Sequence, residues 1–126
     1  GLIPALNEHT YKVTNTGLVK VFLHVKKKKK FVLEKQSQFN IYRIVQEAVN
    51  NILKHAAASE INIQVLGQND HITIMIEDDG KGFNPETNKG GRGLKNIVTR
   101  SLWLKGNINI DSTPGKGTTI TTEFPI

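Results

Sequence analysis

Apolar and polar residues alternate in several short stretches of the chain, which is the pattern of strands with one buried face. The first stretch contains Val19, Val21, Leu23 and Val25. Two more stretches flank a turn at residues 67–70 and predict a β-hairpin, with Ile61, Ile63 and Val65 before the turn and Ile72, Ile74 and Ile76 after it. Two further strands are predicted near the C terminus, one with Ile108 and Ile110 and one with Ile120 and Phe124.

The spacing changes over residues 39–56, where Ile41, Val45, Ala48 and Ile52 recur at intervals of four, three and four. This spacing predicts an amphipathic helix. A second helix is predicted over residues 94–105. Residues 80–93, just before it, are rich in glycine and charged side chains and have almost nothing to bury, so they predict a mobile loop.

The predicted order is therefore strand, helix, two strands, loop, helix and two strands. Hairpins separated by helices favour an α+β fold, a two-layer α/β sandwich in which one mixed, mostly antiparallel sheet carries the helices on one face. With 126 residues, the chain is expected to form a single domain over residues 1–126.

Composition narrows the class of protein. No apolar run approaches the roughly 20 residues of a membrane helix, and no signal peptide is recognisable at the start. The chain has no cysteine, which excludes disulfides and thiolate metal sites, so a cytoplasmic location is expected.

The net charge of +6 comes mostly from one run, Lys26, Lys27, Lys28, Lys29 and Lys30. The run has no aromatic residues within it for stacking on bases and no arginine for reading base edges. It is therefore interpreted as a solvated loop, and no nucleic-acid partner is expected.

The first candidate for chemistry lies on the long helix, where Glu47, Asn50, Asn51 and Lys54 project to one side. A solvent-facing polar side explains such a group equally well. However, asparagine is a weak helix former, and two in succession indicate that an amide oxygen is needed as a hard ligand for a metal such as magnesium.

Two glycine-rich clusters follow. Asp78 comes at the end of an apolar strand and is followed by Gly80 and Gly82, which is either an ordinary turn or a carboxylate placed to accept a hydrogen bond from a flat ligand. Gly91, Arg92 and Gly93 precede the second helix, where free backbone N–H groups favour an anion such as phosphate. The motifs G-x-x-x-x-G-K and G-x-G-x-x-G do not occur in the chain.

Together these segments resemble the ATPase superfamily that includes gyrase, MutL and the histidine kinases. Residues 47–55 resemble its N box, residues 78–83 and 91–94 its two glycine boxes, and residues 115–118 its final glycine–threonine box. Residues 42–48 and 54–56 are similar to sensor kinases that work with LuxR-type response regulators, and residues 1–6 resemble the stretch after their dimerisation helices.

The resemblance implies a Bergerat-type fold with ATP and Mg²⁺ as cofactors. Asn51 is then expected to hold the magnesium ion, with Glu47 near the metal's water or acting as a base. Asp78 is expected to accept a hydrogen bond from the adenine amino group, supported by the hydroxyl of Thr118. The residues expected to bind ATP are Asn50, Asn51, Lys54, Asp78, Gly80, Gly82, Gly91, Arg92, Gly93, Leu94 and Thr118.

Within this set, Gly80 and Gly82 are expected to make room for the base. Lys54 and Arg92, together with Lys95, are expected to meet phosphate oxygens. Residues 84–90 are expected to form a short lid over the nucleotide.

The resemblance also implies partners. None of His9, His24, His55 and His71 is followed by an acidic residue, as the acceptor histidine of this class is. The expected activity is therefore that of a protein histidine kinase whose acceptor lies on a separate dimerisation domain, inactive in autophosphorylation alone. The full-length protein is expected to be a homodimer that serves a LuxR-type response regulator, with a membrane anchor left open.

Two alternatives share the same motifs: a free-standing serine kinase of the anti-sigma type, and a nucleotide-binding module without catalysis. Trp103 also allows several interpretations, since it can contact the lid, lie in an interface or have no specific role.

Overall fold

The structure, a computed structural model, describes residues 1–27, 32–86 and 91–126, and for residues 91 and 92 it describes the backbone alone. The helices are α1 (Leu2–Asn15), α2 (Lys35–His55) and α3 (Gly91–Trp103). The strands are β1 (Lys20–Lys27), β2 (Glu60–Gly67), β3 (His71–Asp78), β4 (Asn107–Ser112) and β5 (Thr118–Pro125). All five predicted strands and both predicted helices are confirmed.

The strands form one sheet in the order β1-β2-β3-β5-β4. β1 runs parallel to β2, with α2 as the connection between them, and the other three pairs are antiparallel. Ile76 at the centre of the sheet lies opposite Ile63 on one side and Ile120 on the other. The predicted mixed, mostly antiparallel sheet is therefore confirmed.

The core lies between the sheet and the helices. Alternate residues of β2 and β3, including Ile63 and Ile74, are fully buried. They face the apolar side of α2, where Ile41, Ile44 and Val49 are also fully buried. α2 and α3 run antiparallel to each other, because Asn51 meets Gly93 whereas Asn40 meets Arg100. This two-layer arrangement matches the prediction.

Helix α1 was not predicted. Its buried apolar residues, Leu2 and Leu6, lie in its first half, and mostly polar residues follow at positions 7–12, so no apolar stripe continues along the helix. α1 packs against β1 and α2, and the Thr14 hydroxyl accepts a hydrogen bond from the backbone N–H of Val21 at 3.0 Å. The helix thereby covers part of an edge strand.

The predicted boundaries need three corrections. α2 begins at Lys35, four residues before the predicted start, because its first turn is polar and carries no periodic signal. α3 covers Gly91–Trp103 rather than residues 94–105, so the second glycine cluster is helical. Phe83 packs against the core, although residues 80–93 were expected to have almost nothing to bury.

Two predicted features fall partly outside the described residues. Lys26 and Lys27 end β1 and are exposed, whereas Lys28, Lys29 and Lys30 lie outside the described part. Residues 87–90 of the predicted lid also lie outside it. Among the described residues, no helix combines the length and the hydropathy that crossing a membrane requires.

Candidate functional site

A cavity of about 340 Å³ opens where the C-terminal end of α2, the ends of β3 and β5, and the beginning of α3 meet. This volume is within the usual range for small-molecule sites. The lining residues come from all four elements and from the loop after β3: Asn51, Ile52, His55, Ala56, Ile76, Asp78, Lys81, Gly82, Phe83, Leu94, Thr118 and Ile120. Apolar walls with a few polar groups suit a flat, partly polar ligand.

Asp78 is the last residue of β3 and is only 5% exposed. Its Oδ1 accepts a hydrogen bond from the Gly80 backbone N–H at 2.8 Å. Burial raises the pKa of this carboxyl above its ordinary value, and the neighbouring Asp79 charge adds to the rise, although the N–H groups of Gly80 and Thr118 oppose it. The site therefore contains a buried hydrogen-bond acceptor at the end of a central strand.

Thr118 lies directly opposite Asp78 in the sheet register. Its hydroxyl is 2.8 Å from the Ser112 hydroxyl, which also accepts from the Phe83 backbone N–H at 2.9 Å and donates to the Gly117 carbonyl at 3.2 Å. Because Ser112 has one proton and donates it to Gly117, the Thr118 hydroxyl donates to Ser112 and keeps its own lone pairs for a ligand. Ser112 gave no signal in the sequence, since a serine at a strand end is ordinary.

The loop after β3 is fixed by backbone contacts on both sides. The Lys81 N–H donates to the Ala56 carbonyl at 2.7 Å, and the Lys81 carbonyl accepts from the Gly115 N–H at 2.6 Å. A Cβ on Gly82, whose φ is +61°, would lie 2.2 Å from the Thr113 carbonyl oxygen. A Cβ on Gly80 would lie 2.3 Å from the Ala56 carbonyl oxygen. These two glycines therefore make room first for neighbouring backbone.

Asn51 lines the cavity from α2 and is half-buried. Its Oδ1 faces the first turn of α3, because a Cβ on Gly93 would lie 3.3 Å from it. The structure thus places Asn51, from the polar cluster on α2, next to the glycine cluster at residues 91–93. The amide oxygen of Asn51 and the backbone N–H groups at the start of α3 lie close enough to act on one ligand.

The other predicted N-box residues lie outside the cavity lining. Asn50 and Lys54 are exposed. Glu47 is half-buried, and its Oε1 accepts from Arg43 Nη2 at 3.1 Å.

The predicted phosphate-binding residues are only partly brought together. Leu94 lines the cavity and is buried, whereas Lys95 is exposed and does not line it. Gly91 and Arg92 supply the first backbone positions of α3, and the Arg92 side chain lies outside the described part.

Several lining residues were missed by sequence reasoning. His55 was interpreted as an ordinary helix-end residue, yet it borders the cavity one turn after Asn51. Its spacing of four from Asn51 was a usable signal. Phe83 and Lys81 were not expected to line it, because their direction depends on how the loop docks onto the β4–β5 hairpin.

The described residues contain no group of three or more His, Asp or Glu side chains able to hold a metal ion by themselves. Asn51 Oδ1 is a hard oxygen ligand that lies close to Gly93, where an added Cβ would be 3.3 Å from it. That donor set fits magnesium held mainly by a ligand's phosphate oxygens and by water, which is the usual way proteins bind this ion.

Comparisons with known proteins agree with this geometry. Residues 36–126 match the family described as histidine kinase-, DNA gyrase B-, and HSP90-like ATPase. The chain is 36% identical over 128 residues to the signal transduction histidine-protein kinase/phosphatase DegS of Brevibacillus brevis, covering 100% of this chain and 33% of that protein. It is 34% identical to the sensor protein VraS of Staphylococcus haemolyticus, covering 76% of this chain and 28% of that protein.

Among solved structures, the histidine kinase domain of the Erythrobacter litoralis EL346 blue-light activated histidine kinase superposes with a TM-score of 0.75. The identity is 21%, and the match covers 94% of this chain and 56% of that one, so this likeness concerns the fold. The chain spans about a third of the length of the curated relatives it matches.

Proposed function

Because the chain belongs to the histidine kinase-, DNA gyrase B-, and HSP90-like ATPase family, we propose that it binds ATP with magnesium and donates the γ-phosphate to a protein histidine. The acceptor histidine would lie on a separate dimerisation domain of the same protein. The observation that carries the proposal is the buried Asp78 carboxyl in the lining of the cavity.

Base recognition is proposed to use that carboxyl. One oxygen of Asp78 accepts from the Gly80 N–H, so the carboxyl is held in a fixed direction. The adenine amino group would donate to the carboxyl, and Thr118 beside it would accept from the same ligand or from an intervening water. Ile76 and Ile120 border the cavity with apolar surface, against which the flat faces of the base would lie.

The triphosphate would extend from the base towards Asn51 and the first turn of α3. Asn51 Oδ1 would be the protein ligand of magnesium, and the bound ion would neutralise charge on the phosphate oxygens. The N–H groups of residues 91–93 and the side chains of Lys54, Arg92 and Lys95 would contact phosphate oxygens.

In the transfer, the bond between the γ-phosphorus and the β–γ bridging oxygen breaks while a bond from phosphorus to an imidazole nitrogen forms, and ADP leaves. The proton on the other imidazole nitrogen must then be released. Glu47 is the proposed acceptor of that proton, since its carboxylate lies one helical turn before Asn51 and outside the cavity lining.

The finer assignments rest on the resemblance of residues 42–48 and 54–56 to sensor kinases that work with LuxR-type response regulators. The protein is proposed to work as a homodimer in two-component signalling, with a cytoplasmic kinase domain and a response regulator of the LuxR type as its partner. The names of DegS and VraS, a histidine kinase and a sensor protein, support this role over that of a free-standing serine kinase.

Calorimetry with a non-hydrolysable ATP analogue, with and without magnesium, tests the binding function. Asp78→Asn is expected to weaken binding by roughly a hundredfold, because its amide would turn an NH₂ group towards the adenine NH₂. Asn51→Ala is expected to remove the magnesium dependence while base binding persists.

The matched controls are the exposed Asp111→Asn and Asn109→Ala on β4, which carry the same chemical changes away from the cavity. Undiminished, magnesium-dependent binding by both Asp78→Asn and Asn51→Ala would contradict the proposed site.

A further inference from the structure

Three polar residues lie side by side across the sheet at the cavity. In the strand register, Thr118 of β5 is opposite Asp78 of β3 on one side and opposite Ser112 of β4 on the other. Asp78 and Thr118 line the cavity, whereas Ser112 is only 8% exposed and is not among the lining residues. Ser112 can therefore affect a ligand only through the residues to which it is bonded.

The direction of the hydrogen bond between the two hydroxyls follows from the other partners of Ser112. Its Oγ accepts from the backbone N–H of Phe83 at 2.9 Å and lies 3.2 Å from the Gly117 carbonyl oxygen. A carbonyl has no proton to give, so the contact with Gly117 uses the one proton of the Ser112 hydroxyl. The Thr118 hydroxyl, 2.8 Å away, then donates to Ser112. Thr118 Oγ1 is left with lone pairs, and no proton, for a ligand.

Both backbone partners of Ser112 are held in place by close packing. A Cβ on Gly117 would lie 2.1 Å from the Asp78 carbonyl oxygen, so the backbone of Gly117 lies directly against the end of β3. Gly82, the residue before Phe83, is packed equally closely against the β4–β5 turn. The Ser112 hydroxyl therefore has a fixed acceptor and a fixed donor, which keeps its proton on Gly117 and its lone pair towards Thr118.

We propose that Ser112 is a positioning residue that sets the base specificity of the site. Because Ser112 accepts the proton of Thr118, Thr118 and the Asp78 carboxyl both offer lone pairs to the base. The amino group of adenine has two hydrogens for these acceptors, which it meets directly or through water. A purine with a carbonyl oxygen in place of the amino group would bring a third acceptor and leave the lone pairs unpaired. The inference rests on the proposed binding of ATP.

The test measures, by calorimetry, the affinity of the chain for non-hydrolysable analogues of ATP and of ITP, in which an oxygen replaces the adenine amino group. Ser112→Ala frees the Thr118 hydroxyl to rotate and to donate to that oxygen. The preference for the ATP analogue over the ITP analogue is therefore expected to fall by about tenfold. A general loosening of the site would weaken the binding of both analogues alike and would leave the preference unchanged.

A double variant tests whether Ser112 acts through the Thr118 hydroxyl. Thr118→Val keeps the β-branched shape and removes the hydroxyl, so adding Ser112→Ala to it is expected to change the preference by less than about twofold. Ser101→Ala is the matched control, because Thr122 donates to this buried serine at 3.1 Å in the same way and neither residue lines the cavity. It should leave the preference unchanged.

An unchanged preference in Ser112→Ala, or an equal fall in Ser101→Ala, would overturn the inference while leaving the proposed function standing. A full further fall when Ser112→Ala is added to Thr118→Val would do the same, as would equal binding of both analogues by the chain without substitutions. A chain that binds neither analogue would overturn the proposed function, and the inference with it.

Discussion

Asp78 and Asp79 are neighbours in sequence whose carboxyl groups have opposite surroundings. Burial raises the pKa of Asp78. Asp79 is exposed, and the backbone N–H groups of Glu60 and Ser59 donate to its Oδ1 at 3.0 and 2.7 Å, which lowers its pKa. The charged form of Asp79 therefore stabilises the fold, whereas the charged form of Asp78 opposes it.

The directions of these two pKa shifts determine how the stability of the fold depends on pH. The contribution of Asp78 is fully present below its unfolded pKa and is lost as the pH rises through its raised folded pKa. The contribution of Asp79 is present above its unfolded pKa and is lost as the pH falls through its lowered folded pKa.

Asp78→Asn is therefore expected to unfold at a temperature a few degrees higher than the unsubstituted chain near neutral pH, although it loses ATP binding. Asp79→Asn is expected to unfold at a lower temperature, and its deficit should shrink as the pH is lowered towards about 3. Thermal unfolding at several pH values measures both, and a deficit of Asp79→Asn that grew in acid would contradict the assignment.

At the scale of single residues, the sequence identified site residues whose type is unusual for their position in a helix or strand. A pair of asparagines within a helix and a carboxylate at the end of an apolar strand both led to residues that line the cavity, Asn51 and Asp78. Ser112 was missed because its importance lies in its partner, Thr118, which no local pattern reveals.

Among the connecting elements, the loop after β3 and the β4–β5 turn depend on each other. Gly82 and Gly115 both have positive φ, +61° and +81°. A Cβ on Gly82 would collide with the Thr113 carbonyl, whereas a Cβ on Gly115 would meet nothing within 4 Å. An alanine at position 115 would therefore test only the energetic cost of a positive φ, whereas an alanine at position 82 would add the cost of a steric clash.

Gly115→Ala is expected to lower the free energy of unfolding by about 1–2 kcal/mol, the cost of a left-handed conformation alone. Gly82→Ala is expected to cost about 3 kcal/mol, since overpacking is added, and to weaken nucleotide binding as the loop moves. Chemical denaturation and calorimetry of both variants provide the comparison. Equal losses of stability and of binding would mean that the contact with Thr113 is unimportant.

Trp103 lies where α2 and α3 contact each other. Its ring lies over the Arg100 guanidinium, 5.7 Å from it, and Phe39 lies on the same guanidinium at 5.8 Å. Arg100 also donates to the buried Asn40 at 3.0 Å. Trp103 is 64% exposed and lies at the opposite end of α3 from the cavity. The interpretations of Trp103 that the sequence left open, contact with the lid, a place in an interface or no specific role, stay predictions.

At the scale of the whole molecule, α1 and β1 precede the residues matched by the family, which begin at 36, yet they are part of the same core. Leu6, on the buried side of α1, is 1% exposed. Thr14 joins the helix to Val21 of β1, and β1 pairs with β2 along its whole length. The first 27 residues are therefore expected to be necessary for the stability of the domain.

Leu6→Ala is expected to lower the free energy of unfolding by about 2–5 kcal/mol, as for other large-to-small changes in a packed core. Tyr11→Ala on the same helix is the control, because Tyr11 is 67% exposed and should change stability by less than about 0.5 kcal/mol. Denaturant unfolding measures the free energy of unfolding of both variants. If Leu6→Ala lowered it as little as Tyr11→Ala does, α1 would be dispensable for stability.

The sequence predicted the sheet and its two covering helices because their apolar periods are long and regular. It did not predict α1, whose buried side is narrow, or the start of α2, whose first turn is polar. α1 packs mainly on β1, the next element of the chain, and the first turn of α2 is held by bonds from Gln38 to Leu33 and Glu34, and periodicity carries no signal for either kind of contact.

The two main-chain hydrogen bonds that hold the loop after β3 have a consequence for evolution. The bonds from Lys81 N–H to the Ala56 carbonyl and from Gly115 N–H to the Lys81 carbonyl are made by main-chain atoms, which nearly every amino acid supplies. Substitutions at positions 56 and 81 can therefore accumulate without breaking these hydrogen bonds. Such main-chain construction gives a physical reason why a protein only 21% identical can retain the same fold.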